Sequence, residues 1–372
     1  MGINSLIQSV WSLTRPPPRA CNGLPDCSDS SDESPFCDLS CSPSSCSPSQ
    51  LCRPTPLAPV CSCLPGFTPS PSGQCQDTDE CQQLSACAQT CTNTKGSYKC
   101  SCGEGFQAEG ALCRPRGDKP KFLYALGSSI RGVEDGPAGH EAVHQQLTTH
   151  AQPVASFVFN SATGEFFWSS PALGLIGMRS VAVSATEARN LVWLRGLEAP
   201  AELALDWRAS NLYYSSQRSS AVTVCSTERK VCREVARAPE DAVTRLAVDP
   251  QAGLMFVAGY SRTPRTHPTA AIYPYTMAGQ EVEEAEVLGG GKTGLVSGLA
   301  LDTVKQLVFW SDLTSRDLRV CSYLGSQCGV VAVSSQPRPQ GLLHFSSKLF
   351  WTSGQTGWLH SFHITTNVTE ER

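Results

Sequence analysis

The sequence predicts a mainly β chain built in two regimes: a string of small disulfide-rich modules, then a β-propeller with five visible repeats. Three observations carry that expectation. Of nineteen cysteines, fifteen lie at or before Cys113 and four beyond it. Small modules that bury little apolar surface substitute cross-links for core, and such cross-links persist in oxidising compartments, so the front is extracellular or lumenal. Beyond Cys113, apolar alternating runs end in anchors at Asn160, Asp206, Asp249, Asp302 and Phe345, separated by 46, 43, 53 and 43 residues. A period of ~40–45 residues with short strands is the size of one four-stranded propeller blade. Finally, Cys225 and Cys321 each fall 19 residues after an anchor, and a second cysteine follows each seven positions later. The equal offset puts both pairs at the same corner of their blades, as local staples Cys225–Cys232 and Cys321–Cys328.

Composition removes other classes. With 33 acidic against 29 basic residues the net charge is −4, and Lys and Arg show no clustering, so nucleic acid is excluded as a partner. No run reaches the ~18 apolar residues that cross a bilayer, because Ile3 to Leu13 is interrupted by Asn4, Ser5, Gln8 and Ser9. No membrane span is expected in this chain. Residues 1–20 lack a basic start and carry Pro16-Pro17-Pro18 where a signal cleavage site would lie. They read as an unassigned lead-in, spliced onto the cysteine-rich front.

Residues 21–37 pack Asn22, Asp26, Asp29, Asp32 and Glu33 between Cys21, Cys27 and Cys37. Carboxylate oxygens in a disulfide-pinned loop suit calcium. The segment resembles the C-terminal half of a low-density-lipoprotein-receptor class A module. The resemblance implies calcium ligands at Asn22, Asp26, Asp32 and Glu33, with carbonyls of Arg19 and Leu24, and a Cys21–Cys37 bridge. Asn22 replaces the usual Asp and weakens the site. Cys27 is expected to have no partner, which accounts for the odd cysteine total.

Two six-cysteine sets follow, at 41–75 and 77–113, each with a Cys-x-Cys step before a Gly-Phe pair, Gly66-Phe67 and Gly105-Phe106. Six cysteines allow fifteen connectivities from sequence alone. Both sets resemble epidermal-growth-factor-like modules, which implies Cys41–Cys52, Cys46–Cys61, Cys63–Cys75, Cys81–Cys91, Cys87–Cys100 and Cys102–Cys113. The second set adds Asp77-Thr78-Asp79-Glu80 before Cys81 and Asn93 after Cys91, similar to the calcium-binding subtype. That resemblance implies side-chain ligands Asp77, Glu80 and Asn93 and carbonyls of Thr78, Thr94 and Ser97. Calcium there stiffens a junction, and no catalysis is expected of it. Phe67 stands where such modules press an aromatic onto the next module's Gly96-Ser97 turn, and Phe106 is placed to do the same toward the propeller.

The aromatic-led quartets of the body, such as Phe167-Trp168-Ser169-Ser170 and Phe309-Trp310-Ser311-Asp312, resemble the Tyr-Trp-Thr-Asp repeat of the lipoprotein-receptor six-bladed propeller. Only Asp312 keeps the final Asp. Five repeats in 119–372 against the family's six imply that the last blade is missing and that the chain is truncated at both ends.

Three motifs invite sharper readings. His140-Glu141-Ala142-Val143-His144, with His150, matches a zinc metalloprotease pattern, in which a helix aligns two imidazoles. Leu147 stands where those proteases have Gly, Pro153 follows, and 114–156 is too short for a protease domain, so the match is read as chance. Arg116-Gly117-Asp118 resembles an integrin-recognised tripeptide but falls at a junction. Asn367-Val368-Thr369 is a glycan acceptor sequon.

The order of half class A module, two growth-factor-like modules and propeller resembles the endocytic low-density-lipoprotein-receptor family, leaning toward arthropod receptors for yolk protein (vitellogenin). The resemblance implies a non-enzymatic, calcium-binding extracellular portion of a single-pass plasma-membrane receptor. Class A modules of the parent would take up a lipoprotein or yolk-protein ligand, and this portion would release it on acidification. A nidogen-like matrix or adhesion protein is the alternative; the class A remnant argues against it.

Overall fold

Among the described residues almost everything regular is strand, with two three-residue 3-10 turns at Glu80–Gln82 and Pro171–Leu173. The computed structural model describes residues 25, 28–30, 32, 46–53, 60–83, 86–116, 121–134, 144–150, 152–180, 190–239, 241–261, 270–333, 339–353, 359–364 and 368–371. It falls into two compact units, Met1–Ala86 with Cys91–Lys99, and Cys87–Thr90 with Cys100–Arg372.

In the first unit, hairpins Gln50–Arg53/Val60–Cys63 and Phe67–Pro69/Cys75–Asp77 are pinned by Cys46–Cys61 and Cys63–Cys75, and Cys81–Cys91 follows. Cys52 is also disulfide-bonded, while Cys41 lies outside the described residues. Val60 is 52% exposed and Leu51 46% exposed, so cross-links carry the order that a core supplies elsewhere.

In the second unit, Cys87–Cys100 and Cys102–Cys113 hold the hairpin Phe106–Glu109/Leu112–Pro115. The rest is six antiparallel sheets in chain order. The first is Lys121–Leu126, Ser129–Glu134 and His144–Thr149; the second Ser156–Asn160, Glu165–Ser170, Leu175–Ser180 and Leu191–Arg195. The third is Pro200–Asp206, Asn211–Ser216, Ala221–Ser226 and Cys232–Arg237; the fourth Ala242–Asp249, Leu254–Tyr260, Ala270–Thr276 and Leu288–Thr293. The fifth is Val296–Asp302, Leu307–Asp312, Asp317–Ser322 and Gly329–Val333; the sixth Pro339–Phe345, Lys348–Ser353, Leu359–His363 and Val368–Glu371. From the second sheet to the sixth, each sheet's first strand packs on the next sheet's first strand, which makes these the inner strands of a propeller.

Each repeat signal now has a physical cause. Asn160, Asp206, Asp249 and Asp302 close the inner strands, and each Oδ1 accepts backbone N–H groups two or three residues on, as Asp206 does from Arg208 and Ala209. The anchors are turn caps. The quartets fill second strands, and every residue of Leu307–Asp312 is buried. Trp168 faces Gly177 across the strand pair, where a Cβ would stand 2.2 Å from Cζ2 of the indole. Sheets are tied to their neighbours by Ser297 Oγ donating to the Pro339 carbonyl (2.6 Å) and by the Tyr323 hydroxyl donating to Asp249 Oδ2 (2.9 Å). The staples Cys225–Cys232 and Cys321–Cys328 tie each third strand to the start of the fourth or the residue just before it, with Cα–Cα distances of 4.1 Å in both.

The expectation of a missing last blade is corrected. Among the described residues six sheets are present, and the one the repeat pattern missed is the first, Lys121–Leu126, Ser129–Glu134 and His144–Thr149, inside the expected 119–372 span but ahead of the first visible repeat. It carries no acidic anchor. Its Lys121–Leu126 strand forms one edge and lines the central channel beside the inner strands of the other sheets, so among the described residues this sheet has three strands and lacks a fourth. It closes against the sixth sheet through Phe122, whose ring lies 4.3 Å from that of Phe350 and 5.7 Å from that of Phe345. A channel of about 1360 Å³ runs between the sheets. There Arg245 pairs with Glu202 (Nη1 to Oε1, 3.0 Å) and donates from Nε to the Ser297 carbonyl (2.7 Å).

Candidate calcium joint and module dock

Of the expected calcium ligands, Asp77 and Asn93 meet in the first unit. The strand Cys75–Asp77 ends at Asp77, and the turn Glu80–Gln82 begins at Glu80, so the acidic lead-in brackets one corner. Opposite it, the hairpin Thr90–Thr94/Ser97–Ser101 presents Asn93 and the Gly96 turn. Asp77 Oδ2 accepts from Asn93 Nδ2 at 2.9 Å, and Asp77 Oδ1 accepts from the Gly96 backbone N–H. Thr94 Oγ1 donates to the Ser97 carbonyl at 2.9 Å. Glu80 Oε2 is buried with no hydrogen-bond partner, an acceptor in need of a cation or proton. Two carboxylates, an amide and carbonyls form a hard oxygen set suited to calcium. Among the described residues no group of three or more His, Cys, Asp or Glu side chains could hold a metal, so any ion here depends on the neutral oxygens as well.

The same turn joins the two modules. A Cβ on Gly96 would stand 2.8 Å from Cε2 of Phe67, and one on Gly66 would stand 2.2 Å from the Gly96 carbonyl oxygen. Thr78 N–H donates to the Gly66 carbonyl at 2.9 Å. Aromatic packing and the Asp77 contact therefore act on one turn.

In the second unit, the rest of the second module docks on the propeller. Phe106 and Phe345 have ring centroids 6.0 Å apart, Ser346 Oγ donates to the Cys113 carbonyl at 3.0 Å, and Lys305 Nζ donates to the Cys87 carbonyl. Lys305 is largely buried, and burial lowers its pKa against the opposing pull of Asp302. Sequence reasoning named Phe106 but missed Lys305 and Ser346. The available signal was the last repeat itself, where Phe345 replaces the acidic anchor and His344 replaces the apolar residue before it, Leu205, Val248 or Leu301 in other blades.

The remaining motifs are placed as follows. Of the zinc pattern, His144 opens a strand, whereas that motif aligns its residues on a helix. His140 and Glu141 lie outside the described residues. His150 packs on Trp168 with ring centroids 4.4 Å apart and shares a 2.5 Å hydrogen bond with Thr148 Oγ1; burial and then Arg179 lower its pKa. Arg116 is in a bend, while Gly117, Asp118 and Asn367 lie outside the described residues. Of the half class A module, Asp32 is described and buried; Cys21, Asn22, Asp26, Cys27, Glu33 and Cys37 are not described.

A calcium-binding growth-factor-like module and a six-bladed propeller together define a modular extracellular chain. Residues 77–113 match the calcium-binding EGF domain family. The chain is 26% identical over 342 residues to vitellogenin receptor Yl of Drosophila melanogaster, covering 87% of this chain and 16% of that receptor. It is 26% identical over 308 residues to the vitellogenin receptor of Solenopsis invicta, covering 82% and 17%. Over 82 residues it is 36% identical to adhesion G protein-coupled receptor E2 of Rattus norvegicus, covering 19% of this chain and 9% of that receptor. A crystal structure of a nidogen/laminin complex aligns with TM-score 0.57 at 14% identity, covering 68% of this chain and 92% of that one, a likeness of fold alone. The chain is thus similar to arthropod vitellogenin receptors over most of its own length. The chain spans less than a fifth of the length of the vitellogenin receptors it matches.

Proposed function

We propose that this chain is the calcium-stiffened release portion of an endocytic lipoprotein receptor whose ligand is a yolk protein of the vitellogenin class. The parent would be a single-pass plasma-membrane receptor, with class A modules that grip the ligand. This portion performs no catalysis. It holds the joint between modules and propeller at neutral pH and loosens it in an acidified compartment. The calcium set is Asp77, Glu80 and Asn93 with carbonyls of Thr78, Thr94 and Ser97; the half module at Asn22, Asp26, Asp32 and Glu33 is a weaker second site.

The observation that carries the reading is the placement of Phe67 and Phe106, each pressed on the element that follows its own module. A matrix role would use the same parts as a static spacer. The test is made in cells expressing the parent receptor with and without residues 77–372, loaded with labelled vitellogenin. Intact uptake with ligand retained after acidification supports a release role. Unchanged release after the deletion sinks it.

A further inference from the structure

Two neighbouring turns of the third sheet gather cations that the sequence keeps apart. The turn after Pro200–Asp206 carries Trp207 and Arg208; the turn between Ala221–Ser226 and Cys232–Arg237 carries Arg229 and Lys230, with Arg233 just beyond it. Ser210 ties the two turns together, because its carbonyl accepts both the N–H and the Oγ1 hydroxyl of Thr227 at 2.9 Å. The Cys225–Cys232 bridge closes the second turn, and inside it Lys230 N–H donates to the Ser226 carbonyl at 2.9 Å. Arg208, Arg229, Lys230 and Arg233 are all exposed, and among the described residues none of them forms an ion pair. The exposed acid between them is Glu228; Asp206 is buried with Oδ1 engaged by the N–H groups of Arg208 and Ala209, and Glu234 is held by Arg237. Trp207 is 52% exposed and Val231 68% exposed in the same two turns. The chain as a whole has a net charge of −4, and the residue after the anchor is Ser161, Pro250 or Thr303 in other blades, so neither the positive charge nor the tryptophan belongs to the repeat. Exposed aromatic rings beside arginines are the composition of an interface.

We propose that this end of the third sheet is a docking site for a sulfated polysaccharide chain, held by Arg208, Arg229, Lys230 and Arg233 and covered by Trp207. Sulfate esters remain ionised at every extracellular pH, and a guanidinium grips such an oxyanion with two parallel N–H donors, while the Lys230 ammonium acts as a point charge. A sugar ring also presents an apolar C–H face, which an exposed indole can cover; an acidic peptide offers carboxylates without that face. An anionic lipid surface would suit the same side chains, but such lipids are concentrated on the cytoplasmic leaflet, whereas the disulfides of this chain belong to an oxidising compartment.

The placement leaves the module dock free. Lys305 and Ser346 stand in the corresponding turns of the fifth and sixth sheets, and the third sheet lies across the ring from the sixth. Arg218 provides an internal control: it is exposed in the turn between the second and third strands, at the opposite end of the same sheet. Binding of a polyanion releases the counterions it holds, so affinity must fall as salt rises, with a slope set by the number of charges engaged. The inference is independent of the release role, because the turns carry their charge whatever the modules do.

Binding of the full chain, in saturating calcium, to a heparin oligosaccharide of defined length is measured by calorimetry over a salt series. Arg229→Ser combined with Lys230→Ser is expected to lose about tenfold in affinity and to lower the salt slope by about two, one for each charge removed. Arg208→Ser combined with Arg233→Ser, in the other parts of the patch, is expected to do the same. Trp207→Ala is expected to lose about fivefold with the slope unchanged, since stacking releases no counterions. Arg218→Ser should bind as wild type does. All these positions are exposed, so thermal melts should coincide with wild type and the losses report binding. Desulfated heparin, polyglutamate and phosphatidylserine vesicles are compared at the same salt, and weaker binding of all three supports the sulfated ligand. Three results overturn the proposal: no heparin binding by wild type, a loss in Arg218→Ser as large per charge as in the patch variants, or polyglutamate or vesicles bound as tightly as heparin.

Discussion

Phe67 lies across Gly96 so closely that a methyl group on Gly96 would stand 2.8 Å from its ring. Gly96 also has φ of +77°, a conformation L side chains rarely adopt. Two independent requirements for glycine thus meet at the turn that Asp77 binds.

Gly96→Ala should accordingly cost more than a backbone effect alone. Gly73, with φ of +78° and nothing within 4 Å of its missing Cβ, is the matched control. Gly73→Ala is expected to lose about 1 kcal/mol from backbone strain, and Gly96→Ala about 2–3 kcal/mol as Phe67 is displaced as well. Thermal unfolding with calcium present checks this. Equal losses would show that the ring yields freely.

The calcium set predicts a chemical difference between neighbours. Removing Asn93 oxygen by Asn93→Ala, or the charge of the unpartnered carboxylate by Glu80→Gln, should weaken calcium at least about tenfold from affinities of ~10⁻⁴–10⁻³ M. Asp79 caps the turn through Cys81 N–H at 3.1 Å and is not in the set, so Asp79→Asn should leave affinity near wild type. Calorimetry separates the three. Calcium uptake unchanged in Asn93→Ala would refute the ligand assignment.

How much of this was legible in the sequence depended on what each residue has to do. The anchors at Asp206, Asp249 and Asp302 were readable because a turn cap needs a short acceptor at one fixed place, so periodicity preserved them. The first sheet was not readable because Phe122 does its work by packing on Phe345 and Phe350, far away in sequence, and no spacing records that. The calcium corner was visible as a pattern, whereas the partnerless oxygen of Glu80 emerged only from geometry. Lys305 looked like noise in a degenerate repeat. Its meaning lies in a carbonyl 218 positions upstream.

Tyr323 joins two sheets through a single buried bond to Asp249 Oδ2, at 2.9 Å, and its pKa is raised strongly by burial and by that carboxylate. The phenol therefore stays protonated and donating across the working pH range. Tyr323→Phe keeps the ring contact with Phe256, whose centroid lies 4.7 Å away, and removes only the donor. The loss should be about 1–3 kcal/mol because a buried carboxylate oxygen is left unpaired. Denaturant melts of the two proteins test this, and an unchanged midpoint would mean that water replaces the phenol.

Arg245 makes the sharpest pH prediction. Its guanidinium pairs with Glu202, whose pKa is raised by burial and pulled back down by Arg245. Arg245→Met keeps the length of the side chain but removes the charge, so the Glu202 pKa must climb further. A carboxyl whose folded pKa exceeds its unfolded value contributes stability that is present below the unfolded pKa, near ~4.3, and lost as pH rises through the folded one. The variant should therefore lie close to wild type in acid and fall behind by about 2 kcal/mol at neutral pH, less than for a fully buried pair because Arg245 keeps some solvent contact. Adding Glu202→Gln should flatten that dependence, since no charge is left to strand. Stability measured across the pH range in both variants decides it: a deficit of Arg245→Met that is the same at every pH would mean that lost packing, and not the uncompensated carboxylate, is what the substitution costs.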